Sequence, residues 1–150
     1  PDESKEFVTV GEAFEGIEND QDEVDMLVEK MAKSSHWKTV ELMPDDPDKV
    51  LTGMDYHPKG HHFNLKRCSQ YKPAPTVTAT SAPVHFLEKR KLTLKETRRV
   101  MSLPDDFTLT GKWEQRSERM GRMVPPLMMK AVAEAVYENI LKPYKENTDG

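Results

Sequence analysis

Proline decides where the last third of this chain can be helical. Its ring removes a backbone donor and collides with the preceding turn, so it closes a helix or sits in the first turn of one. Thr93 and Glu96 form a Thr-x-x-Glu capping box, which predicts a helix from Leu94 to about Ser102, stopping before Pro104. Pro104 to Phe107 (PDDF) then reads as a turn that buries its aromatic ring. A second helix opens at Pro125 and Pro126, where first-turn N–H groups have no intrahelical use. Its apolar stripe, from Leu127 and Met128 through Val132 and Val136 to Ile140, runs until Pro143 ends it, leaving 143–150 as a polar tail.

Upstream the patterning is looser. Phe7 to Val10 reads as a strand or extended arm that turns through Gly11 and Gly16. Asp20 and Glu23 make a second capping box. Val24, Leu27, Val28 and Met31 then recur at helical spacing, predicting an amphipathic helix from about Gln21 to Lys33. Its acidic face, with Asp22, Asp25 and Glu29, would repel phosphate, so the helix is expected to support a lobe. Met43 to Gly60 carries three prolines and two glycines and reads as loop, with a short element around Val50 and Leu51. His62 to Cys68 is a candidate short strand with an exposed basic end, and Pro75 to Thr80 (PTVTAT) a strand ending in a turn. The expected fold class is α+β: a small mixed lobe of short strands with a helix over 1–90, then a helical segment over 91–142.

Apolar residues make up 36% and charged ones 32%, with a mean hydropathy of -0.75, so the surface is large relative to the core. The net charge of -4 conceals a division. Residues 1–60 hold 16 Asp/Glu against 6 Lys/Arg, whereas 61–150 hold 10 against 16, with Lys66, Arg67, Lys72, Lys89, Arg90 and Lys91 in that half. A polyanion would meet this second half, although a basic run is more often a solvated face. No apolar run is long enough to span a membrane and no leader is visible, so a soluble, cytoplasmic protein is expected. Cys68 is the only cysteine. His57, His61, His62 and Cys68 match no standard zinc spacing, so no metal is expected, and Cys68 reads as a partly buried small apolar residue.

Three strings over the last 80 residues occur in order: PAPTVTAT, RKLTLKETRRVMSLPDDF and GRMVPPLMMKAVAEAV. Together they resemble the closing section of DNA cytosine-5 methyltransferases, the second being similar to the family's ninth motif (91–107) and the third to its tenth (121–136). TVGEAFEGI at Thr9 to Ile17 is similar to the segment that opens the family's variable recognition region. The resemblance implies an S-adenosylmethionine-dependent enzyme of restriction-modification type, of which this chain carries the target-recognition region and the last two motifs. The Pro-Cys nucleophile motif, the Glu-Asn-Val motif and the Gly-rich cofactor turn are all missing, and the chain starts at Pro1. It is therefore expected to be inactive alone and to work with an amino-terminal catalytic domain or subunit.

Residue by residue, the resemblance puts Thr76, Val77, Thr78 and Ser81 against the backbone of duplex DNA, with Lys66, Arg67, Arg90 and Lys91 neutralising phosphates. Without it, Thr76 and Val77 would pass for an ordinary edge strand. Arg90, Thr93, Glu96, Pro104, Asp105, Phe107 and Pro125 take structural roles in the two motifs. Arg122 and Val124 are expected to meet S-adenosylmethionine, Arg122 standing where the family has asparagine. The stripe from Leu127 is expected to pack on the missing domain, and in its absence to be exposed or covered by self-association. The alternative reading is a non-enzymatic DNA-binding or accessory subunit.

Overall fold

The structure is a computed structural model that describes residues 7–144. A strand or extended arm was expected at Phe7 to Val10; no strand forms there, and helix α1 (Val10–Phe14) begins at the last residue of that run. Glu12 N donates to the Thr9 hydroxyl at 3.2 Å and Thr9 N donates to the Glu12 carboxylate at 2.8 Å, a complete capping box. Val10 N and Gly11 N donate to the Lys72 and Gln70 carbonyls. These bonds outweigh the β preference of Phe-Val-Thr-Val. Helix α2 (Gln21–Ala32) ends one residue short of its expected limit. Asp20 caps it by accepting from Asp22 N, but Glu23 closes no box. The Glu23 carboxylate instead accepts from Leu94 N and from the Trp113 indole N–H, both at 2.7 Å. Helix α3 (Trp37–Leu42), with no side-chain cap, buries Thr39 and Val40.

The sheet is minimal. Strand β1 (Leu51–Thr52), followed by the single turn α4 (Gly53–Tyr56), pairs antiparallel with β2 (Lys66–Arg67), Leu51 opposite Arg67 and Thr52 opposite Lys66. Single bridges extend it from Arg67 to Val84 and from Val84 to Lys91. The strand expected over His62 to Cys68 thus shrinks to two residues, and the one expected over Pro75 to Thr80 to a bridge between Thr78 and Ser81. Pro73 and Pro75 supply no N–H to a ladder. The chain is α+β, with short helices around a two-stranded sheet.

Three apolar clusters hold it together. Met31, Val40, Met43, Leu51, Leu65 and Val84 join α2 and α3 to the sheet. Val10, Cys68, Ala82, Phe86 and Leu92 seat α1. Met101, Leu103 and Met120, with Val77 against them, bind the later helices to the loop before Ser81.

Helix α5 (Leu94–Val100) begins at the expected capping box, Thr93 N donating to Glu96 at 2.9 Å and Glu96 N to Thr93 at 3.1 Å. The PDDF turn closes by Phe107 N donating to Pro104 O, but Phe107 is 39% exposed, because Leu103 and Leu109 fill the adjoining cluster. The expectation of a buried ring there is corrected. Helix α6 (Trp113–Arg122) had no counterpart in the sequence reading. Helix α7 (Pro126–Val136) starts at its proline as expected, and none of its residues is buried. It does not end at Pro143: a π-helical stretch, Tyr137–Leu141, carries the helix to Tyr144. There Lys142 N donates to Tyr137 O, five residues back. Such widening gives room to a ring that would strike the carbonyl four residues earlier.

Candidate nucleic-acid interface

The segment Thr76–Ser81 is a surface loop pinned from three sides. Thr78 N donates to Ser81 O at 3.1 Å, Ser81 N to Thr78 O at 3.2 Å, and the Thr78 hydroxyl bonds across the same turn. From beneath, Lys91 Nζ donates to Ser81 Oγ at 2.9 Å. From the side comes Gly121 of α6, whose missing Cβ would lie 2.5 Å from Ala79 N and well inside contact with the Thr78 carbonyl. Only glycine lets α6 lie against this backbone. Thr76, Thr78 and Thr80 stay exposed while Val77 turns into the apolar cluster, so the loop presents hydroxyls outward on a fixed base.

The basic residues divide. Arg67 is fully buried, its guanidinium donating to the carbonyls of Pro44, His85 and Leu87 and to Asp45. Arg90 is equally buried, donating to both oxygens of Glu96 at 2.8 and 2.9 Å and to Glu88 at 2.9 and 3.0 Å. Asn19 adds a 2.7 Å bond to Glu96 and accepts one from the Thr93 hydroxyl. Burial alone would raise the Glu96 carboxyl, but the Arg90 fork outweighs it and holds the group below the ordinary carboxylate value. Two residues expected at phosphates are therefore internal fasteners, their donors already spent. Lys66 stays half-exposed, donating to the Thr52 hydroxyl at 2.9 Å. Burial brings the Lys91 ammonium down to about 8. Arg99 and Asp105 pair, fastening α5 to the PDDF turn.

Cys68 lies sealed in the α1 cluster, and burial, with Glu96 nearby, pushes its thiol up to about 12. A thiol so held is a packing group, with no thiolate to offer. Arg122 and Val124 flank the end of α6, both exposed, and Arg122 Nη2 pairs with Glu118 at 2.6 Å. Among the described residues no group of three or more His, Cys, Asp or Glu is placed to hold a metal ion. No described helix is long and apolar enough to cross a membrane.

The family model described as C-5 cytosine-specific DNA methylase matches residues 3–138. The chain belongs to this family. Similar to this chain is the type II methyltransferase M.DdeI of Desulfomicrobium norvegicum, 31% identical over 76% of this chain and 31% of the relative. The DNA (cytosine-5-)-methyltransferase M.ApeKI of Aeropyrum pernix is 31% identical over 65% of this chain and 22% of its own length. The type II methyltransferase M.NgoFVII of Neisseria gonorrhoeae is 27% identical over 88% and 36%. The chain thus spans about a third or less of the length of these relatives. No solved structure matches.

Sequence reasoning missed three residues that organise the site: Gly121, Glu23 and Trp113. Gly121 is the glycine that opens the string GRMVPP, and a residue without a side chain at a helix end was its only signal. The Glu23 to Trp113 bond joins positions 90 apart, which no local pattern reveals.

Proposed function

We propose that this chain is the DNA-gripping and closing segment of a DNA cytosine-5 methyltransferase, which moves a methyl group from S-adenosylmethionine to C5 of cytosine in duplex DNA. The observation that carries the reading is the Thr76–Ser81 loop, held between Lys91 and Gly121 with its hydroxyls outward. Hydroxyls and lysines set on a rigid base suit sugar-phosphate contacts, which orient a protein on the duplex without reading sequence. Thr76, Thr78 and Ser81 are the backbone contacts and Lys66 supplies charge, while Val77, expected at the DNA, anchors the loop in the apolar cluster and Lys91 holds it from beneath.

The sealed Cys68 leaves the nucleophile to the remainder of the protein, so the chain alone is inactive. S-adenosylmethionine supplies the electrophilic methyl group when bound. Arg122 and Val124 suit an edge of its site: both are exposed, and the solvated Glu118 pair holds Arg122 so weakly that a ligand carboxylate can replace it. The bare apolar side of α7 docks on the catalytic remainder, or on a second copy when that is absent.

Bisulfite sequencing of duplex DNA treated with the full-length protein and S-adenosylmethionine tests this. Conversion-resistant cytosines at one recurrent sequence are expected, and none with the 150-residue chain. Duplex binding without any protected cytosine would favour an accessory DNA-binding role.

A further inference from the structure

A pocket of about 490 Å³ opens among α2, α5 and α6, on residues the proposed DNA contacts do not use. Its volume is within the range of small-molecule sites. Met26, Leu94, Leu109 and Met120 line it together with the Phe107 and Trp113 rings, so it accepts an apolar body. Two arginines, Arg98 and Arg116, also line it, and in each the Nε–H is buried without an acceptor. Arg98 spends Nη1 on the Phe107 carbonyl at 3.3 Å and its Nη2 lies 3.8 Å from Asp105 Oδ1, while among the described residues nothing accepts from the Arg116 guanidinium. Buried donors left unpaired are rare and ask for a partner, here an anion.

The remaining lining decides which anion. Asp20, Asp22 and Glu23 share the pocket. Asp20 is occupied in capping α2, and Glu23 in holding Leu94 N and the Trp113 indole. The Asp22 carboxylate has no donor among the described residues. Lys95, Arg98 and Arg116 line the pocket with these three carboxylates, so the charges cancel and a polyanion gains no net attraction, while an ammonium group can still meet a carboxylate. A cavity with one unpaired guanidinium, one unpaired carboxylate and aromatic rings between chain segments matches a molecule carrying both charges.

We propose that this pocket binds a small zwitterion of the α-amino-acid class with an apolar side chain. Its carboxylate meets Arg116 and Arg98, its ammonium meets Asp22, and its side chain packs on Phe107 and Trp113. Because the ligand would touch α2, α5 and α6 together, it would also brace the helix that supports the Thr76–Ser81 loop.

The test is a titration of the nitrogen-15-labelled chain, following the Trp113 indole N–H signal, assigned by its loss in Trp113→Phe. L-phenylalanine, L-leucine and L-methionine are the probes, with 3-phenylpropionate and phenethylamine as analogues lacking one charge each. A saturable shift of the Trp113 signal is expected with at least one amino acid, the Trp37 signal staying still. Phenylalanine should bind at least about tenfold more tightly than either single-charge analogue, the loss expected when one charge-assisted hydrogen bond goes. Arg116→Gln should remove the shift while the rest of the spectrum persists. No saturable shift up to roughly 10 mM would overturn the proposal. So would phenethylamine matching phenylalanine on the wild-type chain, a comparison that needs no variant to fold.

Discussion

Replacing Gly121 with alanine sets two known effects against each other. In a helix, alanine is favoured over glycine by about 1 kcal/mol, so on propensity alone the variant gains stability. The structure reverses the sign. The new Cβ would lie 2.5 Å from Ala79 N and closer still to the Thr78 carbonyl, and every one of these neighbours is backbone. No rotamer change relieves a backbone clash, so α6 and the loop must part by roughly 1 Å to reach ordinary carbon contact. Overpacking of this kind costs about 1–3 kcal/mol, and a rigid neighbour puts it at the upper end. Subtracting the propensity gain leaves a net loss of about 1–2 kcal/mol, or a drop of roughly 3–8 °C in Tm for a chain of this size. Urea unfolding followed by circular dichroism reads the loss, and a fluorescent-duplex titration reads displacement of Thr76 to Ser81 as weaker binding. A Gly121→Ala chain as stable as the parent, with unchanged duplex affinity, would show that this helix-to-loop contact does not position the loop.

The basic residues make a quantitative claim about salt. With Arg67 and Arg90 internal and the Lys91 ammonium tied to Ser81 beneath the loop, Lys66 remains of the four cations expected at phosphates, so log K against log salt should slope at about -1 for duplex DNA, and a slope near -4 would return the other three to the phosphates. Glu96→Gln breaks the buried pair with Arg90 and should cost about 3–5 kcal/mol in urea unfolding near neutral pH. Because the folded-state Glu96 carboxyl lies below its ordinary value of 4.5, its contribution is present above that pH and fades below it, so parent and variant curves should converge in acid. Lys91 acts with the opposite consequence for alkali. Its folded value of about 8 lies under the ordinary 10.5, so the unfolded chain binds the extra proton, and the burial penalty of roughly 3 kcal/mol is lifted as pH rises from about 8 to 10.5. Stability of the parent relative to Lys91→Met should climb across that window; a flat difference would place the ammonium in solvent.

The sequence revealed elements whose stabilising bonds are local. Helix α5 was legible because Thr93 and Glu96 bond to each other across one turn, and α2 because its apolar residues recur on one side. Helix α1 carries an equally local box, Thr9 with Glu12, but lies in a β-branched run where composition pointed the other way. Helix α6 was hidden for the converse reason. It is mostly charged, and what fixes it is remote: Trp113 on Glu23, Met120 among Met101 and Leu103, Gly121 on the loop. The site divides in the same manner. The exposed threonines were readable as a string, whereas the fate of Arg67 and Arg90 depends on carbonyls and carboxylates brought in from other segments. A run of cations does not say which of them face inward.

Helix α7 and its π-helical extension bury nothing, although Leu127, Met128, Val132, Val136 and Ile140 are all apolar. Helices of this length are marginal in water on their own, so this one draws its persistence from whatever covers it. In a cell that makes the segment a reporter of assembly. Left uncovered, its apolar side is the kind of surface that chaperones hold and proteases cut; were a counterpart to cover it, both would lose their handle, and the abundance of the chain would follow the supply of that counterpart.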